Sequence, residues 1–85
     1  TTTPLQSLAL MNNRFVLRQS AFFAERLAEE AGNDVAAQLR LAHELTLSRP
    51  ISSDELILAT NFITNHGLAA YCRVLFNTNA FLYVR

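Results

Sequence analysis

The apolar positions recur at intervals of three and four through most of the chain, which is the period of an α-helix packed on one side. Val16, Phe23, Leu27 and Ala31 fall on one stripe, flanked by Phe15 and Phe22. Arg14, Arg18, Glu25 and Glu29 fall on another face, and Arg26 and Glu30 stand four apart as an ion pair would. This predicts a helix over 14–31, stopped by Gly32. Asn33 is placed to cap a second, over 34–47, with Val35, Leu39, Leu41, Ala42 and Leu45 inward and Arg40–Glu44 paired outside. Pro50 ends it, because the residue before a proline is biased away from helix. Ser52 with Glu55 makes a capping box for a third. Its Leu56, Ile57, Leu58, Ala59, Phe62 and Ile63 are apolar on more than one side, which suits a central or an interface helix. Gly67 stops that helix after His66, and a fourth is expected over 68–76, with Leu68, Cys72, Leu75 and Phe76 inward and Arg73 outward. Asn77-Thr78-Asn79 reads as a break before a short apolar turn, Phe81–Val84. At the start, Thr3-Pro4 with Gln6 reads as another capping box, opening a short helix over 4–11 that Asn12-Asn13 interrupts. The fold class is therefore all-α, a compact bundle of four to five short helices in a single domain over 1–85.

Composition narrows the function classes. The chain has 85 residues, 51% of them apolar, and seven arginines balance seven acidic residues without any lysine. So high an apolar share excludes whole-chain disorder, and the charge balance argues against a basic nucleic-acid module. Forcing 45–63 into a helix-turn-helix would place Asp54 and Glu55 where phosphates lie. No apolar run reaches the ~18 residues a membrane-spanning helix needs. The charged share, 16%, is low for a domain that meets water all round.

Candidate chemistry is sparse. His43, His66, Cys72 and Met11 show no metal-ligand spacing, so no metal or other cofactor is expected in this segment. A lone Cys72 on an apolar helix face reads as a buried, inert thiol. His66, last before Gly67, suits a helix C-terminus. His43 reads as a partly exposed or capped helix histidine with no nucleophile near it in sequence. Phe15, Phe22, Phe23, Phe62 and Phe76, at helical spacing, read as core. The polar positions left as interaction or structural candidates are Arg49, His43, Asn12, Asn13, Asn77 and Asn79. The asparagines are suited to bonding backbone at helix junctions.

Three ordered motifs resemble one known family. The opening run from Thr1 to Asn13 is similar to "TTTPLQALALMNN", found near the end of a large planctomycete-type family. Leu45-Thr46-Leu47-Ser48-Arg49-Pro50 is similar to its "L-x-L-G-R-P". Cys72 to Val84 is similar to its closing "C-R-V-L-L-N-S-N-E-F-L-Y-V". The chain thus resembles the C-terminal part of the PSD-one domain, which often shares a polypeptide with a cytochrome-c-like module. Ser48 departs from the family's Gly, Ala80 from its acidic residue and Arg85 from a common Asp. The haem motif is absent from these residues, so haem does not carry over. The resemblance implies a periplasmic or cell-surface parent, and more loosely one that works on complex polysaccharides.

Two functions are expected from this. The first is a non-catalytic helical module that docks on the remainder of its own parent chain or mediates protein interaction, with a homodimer through exposed apolar surface as a further outcome. The alternative is that Arg49, His43, Asn77 and Asn79 contribute to the active site of a polysaccharide-related or redox enzyme complex. A peptide-binding helical groove is a third. Neither nucleic acid nor membrane insertion is expected.

Overall fold

The computed structural model describes residues 14–84, with side chains as far as Thr78. Four helices follow one another: α1 (Arg14–Ala31), α2 (Val35–Leu47), α3 (Ser53–His66) and α4 (Leu68–Val84). Among the described residues there is no strand. The all-α bundle anticipated from the periodicity is what forms. The helix expected over 4–11, and Asn12 and Asn13 after it, lie outside the described residues.

Local chemistry sets the helix ends. Gly32 takes a left-handed φ of 74° where α1 stops. Its carbonyl accepts a 2.6 Å bond from the Gln38 side chain, which ties the turn to α2. The cap of α2 is Asp34, not Asn33: Asp34 is extended and its carboxylate accepts from the Ala36 N–H at 3.1 Å. Either residue has a competent oxygen, and the chain uses the one nearer the helix. Ser52 and Glu55 form the anticipated capping box at the start of α3. Ser48 closes α2 at a left-handed φ of 56°, a conformation that suits glycine and strains a residue with a Cβ.

α2 and α4 each pack against the three other helices, while α1 and α3 touch both of them but not each other. The two flanking helices therefore sandwich the α2–α4 pair. Leu27, Ala42, Cys72 and Leu75 are buried together, with Phe23, Leu41, Leu47, Leu68 and Tyr71 packed around them. Phe23 and Phe76 join α1 to α4, with ring centroids 5.5 Å apart.

Several expectations change. α3 is not central: only Ala59 is buried on it, and Ile57 and Leu58 are 61% and 70% exposed. α4 holds the central place instead, and it does not break at Asn77-Thr78-Asn79 but runs on to Val84. Thr78 stays helical by returning its hydroxyl to the Val74 carbonyl at 2.9 Å. The helix penalty of three polar residues is modest, and Leu75 and Phe76 just before them pack into the bundle. Phe15 and Phe22 are not core; they stand 66% and 54% exposed on the far side of α1. Arg26 and Glu30 pair at 3.1 Å, whereas no ion pair joins Arg40 to Glu44.

Candidate functional site

The polar residues that the fold gathers lie where the α2–α3 connection meets α4. Arg49 sits in that connection, one residue beyond the Ser48 turn. Its guanidinium grips the Glu55 carboxylate with two 2.8 Å bonds, the forked geometry that carboxylates favour. Glu55 also accepts the Ser52 backbone N–H at 2.9 Å, while its own N–H donates to the Ser52 hydroxyl at 3.1 Å. The bonds from Arg49 and then Ser52 hold the Glu55 carboxyl well below the usual carboxylate range. The capping box and the arginine clamp are thus one unit.

His43 is buried rather than partly exposed, with 2% of its surface accessible. Its Nε2 lies 2.8 Å from the Tyr71 hydroxyl, and the two rings stack within 12° of parallel. Its Nδ1 is buried without a partner among the described residues. A buried N–H without an acceptor is the costlier orphan, so the favoured tautomer carries the proton on Nε2 and donates it to the Tyr71 oxygen. The Tyr71 hydroxyl hydrogen then stays available to a third group. Burial lowers the pKa of His43 below its ordinary 6.5; the charge of Glu55 opposes that and the charge of Arg49 adds to it. Both charges act on Tyr71 as well, whose pKa burial raises.

Tyr71 and Glu55 open onto a shallow groove of about 260 Å³ between α3 and α4, floored by Leu58, Ala59, Phe62 and Val74. On the other side of Arg49, a cleft of about 480 Å³ is lined by Arg40, Glu44, Ser48, Pro50 and Ile51. Of the expected site residues, Arg49 and His43 come together. Asn77 lies six residues beyond Tyr71, about 9 Å further along α4, and its side-chain oxygen is buried without a partner among the described residues. Asn79 is on α4, where only its backbone is described; Asn12 and Asn13 lie outside the described residues. His66 rests its ring on Phe62 at 4.7 Å.

The sequence did not single out Tyr71, and it showed Glu55 only as a cap. The spacing Arg49–Ser52–Glu55 held a usable signal, since an arginine three residues before a capping box is within reach of its carboxylate. Cys72 is fully buried, and burial pushes its thiol up to about 12, so it is the inert core residue expected. Among the described residues no three His, Cys, Asp or Glu side chains gather as a metal site would require. No described helix is long and apolar enough to cross a membrane.

The PSD1 family, described as a protein of unknown function (DUF1553), matches the chain over residues 1–63. The chain belongs to this family. The match takes in α1, α2, most of α3 and the whole Arg49–Ser52–Glu55 unit; Tyr71 and its groove wall on α4 lie beyond it. No curated protein and no solved structure gives a match to this PSD1 chain.

Proposed function

We propose that this PSD1 chain is a non-catalytic docking module, and that it covers the outer face of α3 and the α3–α4 groove with another part of a larger extracytoplasmic polypeptide. The observation that carries this is the character of α3. From Leu56 to Asn65 no residue is charged, yet Ile57 and Leu58 face outward. The polar groups on that face are largely turned inward: Thr60 and Thr64 donate to the carbonyls of Leu56 and Thr60, and Asn65 donates to that of Asn61. A stretch free of charge, with both threonine hydroxyls already bonded to its own backbone, costs less to desolvate than a charged one. Depletion of charge is also what marks the centre of a protein interface. The same reading takes the chain as the C-terminal part of a PSD-one domain in a planctomycete-type, cytochrome-c-associated protein of the periplasm or cell surface.

Arg49 and His43 find structural partners in Glu55 and Tyr71, which supports the docking reading over a catalytic one. The test is a pair of variants, Leu58→Asp and Ile57→Asp. Both residues are exposed, so melting should hold steady while binding to the remainder of the polypeptide is lost. Undiminished binding in both variants would refute the docking face.

A further inference from the structure

We infer that α1 is a self-association helix, which pairs antiparallel with α1 of a second copy through the face turned away from the core. This face lies across the bundle from the α3 docking surface and does not depend on that reading. Arg14, Arg18, Glu25 and Glu29 are all exposed. At 100° per residue they fall within an arc of about 60°, opposite buried Val16, Ser20 and Leu27. None has an ion-pair partner among the described residues, whereas neighbouring Arg26 is already satisfied by Glu30.

The order of the charges decides the occupant. The arginines come first along the helix and the glutamates last. In a two-fold antiparallel pair, residues the same distance on either side of the axis meet. An axis between Ala21 and Phe22 brings Arg18 to Glu25 of the second copy and, at the same time, Arg14 to its Glu29. One register therefore satisfies both pairs, and symmetry doubles them to four. A parallel pair would set like charges side by side. The borders of the stripe agree with that register. Phe22, 54% exposed, meets its own copy beside the axis on one edge, with Phe15 a heptad further out. Ala21 meets its copy on the other edge, where its small side chain lets the helices approach, and exposed Leu17 reaches towards Ala28. Such an interface is isologous, the commonest form of closed assembly.

Charge reversal tests this, read by sedimentation equilibrium from micromolar to millimolar protein. The 85-residue chain should show a monomer–dimer equilibrium that weakens as salt is added. Arg18→Glu, and separately Glu25→Arg, should weaken the dimer about tenfold or more, since each turns two attractive pairs into repulsive ones. The swap Arg18→Glu with Glu25→Arg should restore it. A second experiment mixes an all-acidic chain (Arg14→Glu, Arg18→Glu) with an all-basic one (Glu25→Arg, Glu29→Arg): each should be monomeric alone and they should pair when mixed. The altered side chains are exposed, so circular dichroism should show all variants folded. A strictly monomeric wild type would overturn the proposal. So would a dimer indifferent to single reversal, or one that the swap does not rescue.

Discussion

Tyr71 gives His43 its hydrogen bond, at 2.8 Å inside the bundle, and that bond is exposed to two kinds of perturbation. Tyr71→Phe removes the hydroxyl and leaves the Nε2–H buried without an acceptor, which should cost about 1–3 kcal/mol in a urea melt. Acid acts on the same group. Because burial lowers the folded pKa, unfolded chains take up a proton near the ordinary 6.5 that folded chains refuse. Stability contributed by keeping His43 neutral is therefore complete above that pH and falls as pH drops through it. Glu55, whose pKa is also lowered, loses its contribution only below its ordinary 4.5, so the two windows are separate. The urea midpoint should fall between pH 7 and pH 5.5 in the wild type and lose that slope in His43→Gln; equal slopes would contradict the assignment. Ser48 offers the opposite sign. It holds a left-handed φ of 56° and departs from the glycine of the L-x-L-G-R-P motif that the sequence resembles, so Ser48→Gly should stabilise by about 1 kcal/mol, measured the same way. That departure was visible in the sequence, but its meaning was not, because nothing local shows that the helix ends in a left-handed residue.

At the scale of elements, helix starts were far more legible than helix fates. Caps are local chemistry: Ser52 with Glu55 and Gly32 with its positive φ each act within a few residues, so their spacing told where α3 begins and α1 ends. Which helix sits in the middle is a tertiary matter. α3 and α4 are both rich in apolar residues, and only packing shows that α4 is enclosed while α3 flanks. The same limit explains Phe15 and Phe22, whose spacing suits a core stripe equally well as an outer one. It also explains the Asn77-Thr78-Asn79 segment, whose turn-forming residues are overridden inside α4. Asn77 carries the cost of that override, since its side-chain oxygen is buried and has no partner among the described residues. Asn77→Ala removes the orphan and improves helix propensity, and should raise stability by about 1 kcal/mol in a thermal or urea melt. A destabilised variant would show that the amide has a partner role.

At the scale of the whole molecule, two flanking helices sandwich a central pair, and the two flanks differ in what they offer. α1 turns outward a charged stripe with Phe15 and Phe22 along one edge; α3 turns outward Ile57 and Leu58 among uncharged threonines and asparagines. Among the described residues Leu27, Leu39, Ala42 and Cys72 are fully enclosed, and the single cysteine makes no disulfide. A small domain gains much by covering its exposed apolar surface. The polar cluster, with Arg49 clamped on Glu55 and His43 on Tyr71, stiffens the corner from which the α3–α4 groove opens. The all-helical class was legible because periodicity and punctuation agree along the chain. The assembly of the cluster was not, because Tyr71 meets His43 from 28 residues away.

The docking reading is tested most directly by titration calorimetry of this domain, at several temperatures, against the remainder of the larger polypeptide that the proposal assigns it to. The account predicts saturable binding with a negative heat-capacity change, the mark of apolar surface leaving water, and loss of that signal in Leu58→Asp. An absence of binding heat at every temperature, with both parts folded, would contradict it.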